Sequence, residues 1–148
     1  MPRHMQPEAM LCFDIYALHH AFGRLYKPLL DPLGLTYPQY LVMVVLWGEE
    51  PLRVGHIGKR LGLESSTVTP LIKRLENAGL VLRERDSKDE RRVQVHLTRK
   101  GKAMAKDAAD IPACVEAATE MERDAIGALR ETLAQLQASL NPRDELDQ

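Results

Sequence analysis

Two thiols stand out in a chain that otherwise carries little reactive chemistry: Cys12, inside MLCFDIYALHH, and Cys114, inside DIPACVEAA. A thiol reacts as its thiolate, and with an ordinary pKa of about 8.5 most of it is protonated at neutral pH. Apolar surroundings make the anion scarcer, and Leu11, Phe13 and Ile15 stand close to Cys12 in sequence. A reactive Cys12 therefore needs something that favours the charge. Pro7 can open a helix, which would leave Cys12 in the second turn, where the positive end of the dipole is fading. Oxidation would give a sulfenic acid, which condenses with a neighbouring thiol to a disulfide. The plainer account is a small buried hydrophobe, the common fate of a free cysteine. On the residues alone both accounts stand.

Spacing excludes other chemistry. The cysteines form no CxxC pair and lie far apart in the chain, which does not make a zinc site. His19 and His20 are adjacent, so they leave a helix on different faces and cannot ligate as a pair. No metal and no cofactor is expected.

Charge supplies the second kind of chemistry. The formal net charge is −1, but the segment from Arg53 to Lys102 holds 13 Lys and Arg against 6 Asp and Glu, a net of +7. The remainder holds 7 against 15, a net of −8. A basic middle between acidic ends suits a polyanion such as nucleic acid, although a solvated charged surface would read the same way.

The elements that position these groups follow from periodicity. Leu11, Ile15, Leu18, Phe22, Leu25 and Leu29 step by four and three, the seam of a helix packed along its length, which Pro28 and Pro32 are expected to interrupt. Thr36 is a cap candidate before a buried helix from Pro38 to about Trp47. VGHIGKRLGL puts Val54, Ile57 and Leu61 at helical spacing and stops at Gly62. ESSTVTPLIKRLENAGL opens with Ser65 and Ser66 as N-caps, tolerates Pro70 in its first turn, buries Val68, Leu71, Ile72 and Leu75, and stops at Gly79. Two short helices joined by a few residues form a helix-turn-helix pattern. LVLRER and RVQVHLT are then extended segments around the charged tip DSKDER, a β-hairpin placed as a wing. Thr98 restarts a helix that Pro112 kinks or ends, and Ile126, Leu129, Leu133, Leu136 and Leu140 repeat the first stripe.

The expected fold is mainly α with a small β-hairpin wing: a winged helix-turn-helix plus N- and C-terminal helices forming a dimerisation region. Within a single domain spanning residues 1–148, residues 9–30 and 112–141 are the dimerisation helices, 36–103 the DNA-binding region and 142–148 a loose tail. Neither apolar stripe has enough neighbours in one small winged domain to be covered, so a second subunit is expected, the plainer account being that the two stripes cover only each other. A composition of 45% apolar and 28% charged residues is ordinary for a soluble globular protein. No apolar run is long enough to span a membrane, and MPRHMQPEAM lacks the pattern of a signal peptide, so a cytoplasmic protein with reduced thiols is expected.

A recognition helix meets the major groove by its N-terminal turn, where short polar side chains and unpaired backbone N–H groups face bases and phosphates. Ser65, Ser66, Thr67 and Thr69 supply that turn, and Lys73 and Arg74 follow within reach of the backbone. Arg83, Arg85, Lys88, Arg91 and Arg92 cluster around the hairpin and suit phosphates or a narrow minor groove. Asp89 stands among them and is placed to orient an arginine. For the serines and threonines the plainer role is capping, and for the wing a solvated turn. The coincidence of helix-turn-helix, wing and local positive charge favours double-stranded DNA, read as two related half-sites by a dimer.

LGLESSTVTPLIKRLENAGLVLRERDSKDERRVQVHLTRKG, with its DERR wing segment, resembles the MarR family of winged-helix repressors, and the resemblance extends over almost the whole chain. LCFDIYALHHAFGRLYKPLLDPLGLTYPQYLVMVVLW resembles the organic-hydroperoxide-sensing OhrR branch, through a cysteine near the start of the first helix followed by YKPLL and LTYPQYL. The resemblance implies a homodimeric repressor of a pseudo-palindromic operator, with an organic hydroperoxide as inducer. It makes Cys12 the peroxide-reactive thiol, Tyr26 and Tyr37 its hydroxyl partners from the facing subunit, and Tyr16 a further neighbour. Arg91 and Asp89 take the place of the family's wing-tip pair, and Cys114 that of a resolving cysteine found in some branch members. Tyrosine hydroxyls donate hydrogen bonds to sulfur without a competing charge, and Phe13, Phe22 and leucines nearby favour an organic over a small polar oxidant.

Three other functions compete. A winged-helix repressor could bind a small aromatic effector, with Cys12 inert. A thiol peroxidase would consume peroxide continuously, but a basic wing has no purpose there, so no enzyme is expected. A helical adaptor would show no salt-dependent binding to duplex DNA.

Overall fold

The computed structural model describes residues 5–89 and 92–141. The chain divides into two units, Met1–Ile111 and Pro112–Gln148.

In the first unit a 3-10 turn at Pro7–Ala9 leads into helix α1, Leu11–Leu30. Pro28 does not interrupt α1 as expected. It sits in the last turn on the exposed side, where its missing N–H removes only the bond to the Arg24 carbonyl. Pro32 instead opens a 3-10 turn, Asp31–Leu33, which closes at Gly34. Helix α2, Tyr37–Gly48, begins with a full capping box: the Thr36 hydroxyl accepts from the Gln39 N–H, and the Gln39 side chain accepts from the Thr36 N–H at 3.0 Å.

The helix-turn-helix is α3, Val54–Leu61, and α4, Ser65–Asn77. Gly62 after α3 and Gly79 after α4 both have positive φ, 67° and 76°, as their sequence positions implied. Val68, Leu71, Ile72 and Leu75 of α4 are buried with Ile57 of α3 and with Val42, Met43 and Leu46 of α2. Pro70 is the sixth residue of α4, so it lies in the second turn and not the first, and costs the helix the bond to the Ser66 carbonyl.

The sheet holds one strand more than the expected hairpin. β2, Val81–Arg85, and β3, Val93–Leu97, pair antiparallel, and a short strand β1, Leu52–Arg53, flanks β3 on its other side, giving the order β1-β3-β2. Leu52 pairs with Val95, and both are buried. Helix α5, Arg99–Asp107, starts under a Thr98 cap that accepts from the Gly101 N–H at 3.0 Å.

Helix α6, Ile111–Ala118, spans the boundary between the units; Pro112 stands at its second position, so it opens a helix instead of ending one, because an N–H is dispensable in a first turn. In the second unit α7, Arg123–Leu140, carries the second apolar stripe. Leu129, Leu133 and Leu140 on that helix are exposed. So are Leu11, Ile15, Leu18 and Phe22 of α1, which is the uncovered seam the sequence pointed to. Among the described residues no single helix is long and apolar enough to cross a membrane.

Candidate functional site

Cys12 is the second residue of α1, one turn earlier than Pro7 had suggested, because Pro7 opens a separate 3-10 turn and the α-helix begins only after Met10. The thiol is exposed and sits in the first turn, where unpaired N–H groups and the dipole favour negative charge. Tyr16 follows four residues later, one turn along the same side of the helix, with its ring edge-on to His20 at 4.5 Å.

Tyr26 and Tyr37 come together: their ring centroids are 4.7 Å apart, α1 supplying one and the first residue of α2 the other. Tyr40 completes the cluster at 5.9 Å from Tyr26 and 6.4 Å from Tyr37, a member that sequence reading passed over although YPQY places it one turn after Tyr37. Burial, with Tyr37 and Tyr40 close by, pushes the Tyr26 phenol up to about 12, and burial likewise raises Tyr40. These phenols keep their protons and can act as hydrogen-bond donors. Tyr26 lies fourteen residues beyond Cys12 on the same helix, about 21 Å at 1.5 Å per residue, so it cannot reach the thiol of its own protomer. Cys114 is an exposed residue of α6.

The basic face is built around α4. Ser65, Ser66 and Thr67 are exposed at its N-terminus, Thr69 half-buried, and Lys73 and Arg74 exposed further along. Neither serine caps the helix: Glu64 holds the N-cap position in extended backbone, with no side-chain capping bond, and Ser65 and Ser66 are the first two helical residues. Between this turn and the wing runs a groove of about 660 Å³ lined by Arg53, His56, Lys59, Ser65, Thr69, Arg83 and Arg92. Arg53, His56 and Lys59 were missed in the sequence, where only the apolar face of α3 was read; the local charge excess already counted two of them.

Within the wing the cations differ in their engagements. The Arg83 guanidinium donates to Glu76 Oε1 from Nε at 3.2 Å and from Nη2 at 3.0 Å, while its backbone N–H donates to Oε2 at 3.0 Å. These bonds hold the Glu76 carboxyl below its ordinary value and fasten β2 to α4. Arg92 pairs with Asp89 at 3.4 Å, and the tip is closed by the Asp86 N–H donating to the Arg92 carbonyl and the Arg92 N–H to the Asp89 carbonyl. Arg85 and Lys88 are exposed; Arg91 lies outside the described residues.

A helix N-terminus rimmed by hydroxyls and a cationic groove closed by a wing matches duplex DNA in shape and charge. A family model described as transcriptional regulator SarA/Rot matches residues 24–108. The HTH-type transcriptional regulator TtmR of Methylorubrum extorquens (strain PA1) is 48% identical over 136 residues, 92% of this chain and 70% of that protein. The organic hydroperoxide resistance transcriptional regulator of Bacillus subtilis (strain 168) is 39% identical over 141 residues, 95% of this chain and 96% of that protein. Among solved structures, reduced AbfR bound to DNA superposes with a TM-score of 0.76 at 35% identity, over 88% of this chain and 91% of that one. AbfR, a protein of Staphylococcus epidermidis, is similar also in its disulfide form, with a TM-score of 0.62 at 37% identity over 85% and 88% of the two chains. The chain belongs to the MarR and SarA/Rot family of winged-helix transcriptional regulators.

Proposed function

We propose that this regulator is a homodimeric repressor that senses organic hydroperoxides through Cys12 and releases its operator when that thiol is oxidised. The observation that carries the reading is the separation on α1: a thiol in the first turn, and a cluster of protonated phenols two heptads along the same helix. Two α1 helices running antiparallel across a two-fold axis would bring each Cys12 to the partner subunit's Tyr26 and Tyr37. The exposed Leu11, Ile15, Leu18 and Phe22 would be covered in the same step. The 39% identity to the Bacillus subtilis regulator supports the choice of oxidant.

The chemistry balances with the peroxide as sole oxidant. The Cys12 thiolate attacks the terminal oxygen of R–O–O–H, the O–O bond breaks, and sulfenic acid and alkoxide result; the alkoxide takes a proton and leaves as an alcohol. Attack by the Cys114 thiolate on that sulfenic sulfur would break the S–O bond, form a disulfide and expel hydroxide, which takes a proton from solvent and leaves as water. Oxidation removes the thiolate that accepted the phenol hydrogen bonds, the interface repacks, and the two winged regions move out of register with half-sites about 34 Å apart. The protein reacts once per signal, in the cytoplasm where its DNA is, and is not a turnover enzyme.

Mobility shift on an operator duplex, with and without cumene hydroperoxide, tests the reading. Wild-type protein should release the duplex, and Cys12→Ser should bind and stay bound. Release that survives in Cys12→Ser would instead identify a non-covalent aromatic effector. Cys114→Ser should abolish the covalent dimer on a non-reducing gel; a dimer band that persists would exclude its resolving role.

A further inference from the structure

Helix α2 has different chemistry at its two ends. Its first turn carries Tyr37 and Tyr40 of the phenol cluster, and about 10 Å beyond Tyr40, at 1.5 Å per residue, Trp47 in its last turn meets the root of the wing. The Tyr40 ring stands 6.3 Å from the Trp47 ring, edge to face, so the aromatic contacts continue down the helix. The Trp47 indole N–H donates to the Gly101 carbonyl of α5 at 2.9 Å.

Just beyond α2 the two carboxylate oxygens of Glu50 are divided between two elements. Oε2 accepts the Leu97 N–H at 2.6 Å, and Oε1 lies 3.1 Å from Lys102 Nζ of α5. The strand register explains the first contact. Leu52 faces Val95 and Arg53 faces Gln94, so Glu50 falls opposite Leu97, where its side chain extends the ladder beyond the two paired residues of β1. Burial opposes charge on Glu50, yet the Leu97 N–H, Lys102 and His96 hold its carboxyl below the usual range.

We propose that Glu50 is a positioning residue, through which α2 sets the angle of the wing according to the state of Cys12. A shift of the phenol cluster moves α2 as a rigid rod, and Glu50 carries that shift to the end of β3 and the start of α5 together. The proposal rests on the redox reading above, since without a state change at Cys12 there is nothing to carry.

The test measures one ratio: affinity of reduced over hydroperoxide-oxidised protein for a fluorescent duplex that this protein has selected from a random pool, at fixed salt. Glu50→Gln keeps an acceptor for the Leu97 N–H but loses the charge towards Lys102; Glu50→Ala loses both, and Lys102→Gln removes the other partner. A transmitting Glu50 makes the ratio shrink at least fivefold in Glu50→Ala and in the same direction, by less, in Glu50→Gln and Lys102→Gln. A merely structural Glu50 lowers both affinities together and leaves the ratio within twofold of wild type, which overturns the proposal. Should Glu50→Ala fail to fold, Glu50→Gln decides alone. A wild-type ratio of one overturns the redox reading and this proposal with it, whereas a wild-type ratio that persists in the variants overturns this one only.

Discussion

Arg83 of the wing and Glu76 of the recognition helix are joined by three hydrogen bonds, two from the guanidinium and one from the backbone N–H of Arg83. An arginine that charge counting assigns to DNA is thus also a fastening between the two elements that grip DNA. The Glu76 carboxyl is held low by this arginine, so its contribution to stability is present above the ordinary value of 4.5 and lost as pH falls through the lowered one. Both side chains are about a third exposed, which limits the ion pair itself to about 1 kcal/mol. Glu76→Gln should therefore have a lower urea midpoint than wild type at neutral pH, with the difference disappearing in acid. A difference that stays constant down to the acid transition would contradict the assignment.

Tyr26→Phe tests the phenol cluster. Folded wild-type protein should ionise one phenol only near pH 12, seen as late tyrosinate absorbance, and that phase should vanish in the variant. Because the folded value is raised from 10.0, the protein loses stability as pH climbs between 10 and 12, and Tyr26→Phe should lose less. Removal of one donor to a thiolate should also slow Cys12 oxidation by about tenfold, read by stopped-flow with cumene hydroperoxide.

Ser65 and Thr98 should behave oppositely. Thr98 caps α5 and its hydroxyl donates to the Gly79 carbonyl at 2.7 Å, so Thr98→Ala should cost about 1 kcal/mol in thermal unfolding. Ser65 caps nothing, so Ser65→Ala should leave stability within about 0.5 kcal/mol while weakening operator binding. A large stability loss in Ser65→Ala would restore the capping role.

Arg53 and Lys59 line the groove beside Ser65 and Thr69. Replacing either with alanine should weaken binding to all duplexes alike and reduce the slope of log affinity against log salt by about 1. An unchanged slope would place these cations away from phosphate.

Gly101 admits no side chain, because a Cβ there would run into the Leu80 carbonyl. Gly101→Ala should destabilise by about 1–3 kcal/mol and push α5 from the wing root, measured by melting and by proteolysis of the reduced protein.

Most of the architecture was legible because it is written in periods. The four-three steps of α1 and α7, the buried face of α4 and the alternation of Val93, Val95 and Leu97 each have one geometric solution. What escaped is short or depends on position within a turn. β1 has two residues and no alternation to display. In sequence Pro7 reads as an opening, Pro28 and Pro112 as breaks and Pro70 as tolerated in a first turn, but the effect of each depends on whether an N–H is needed at that place, which only the helix boundaries reveal. Cys12 gained a full turn of proximity to the helix start in this way. The resemblance named Tyr26 and Tyr37 as partners of Cys12 but not of each other, and their contact, like Tyr40 and the groove cations, needed the packing of the elements to become visible.

Arg53 ends the small strand β1 and is at once the residue before the first turn of α3. No slack separates sheet from helix at that joint, so a tilt of one is a tilt of the other. The joint ties the wing to the helix-turn-helix by the shortest route the chain allows, and a glycine inserted after Arg53 should act as a hinge that loosens one jaw from the other.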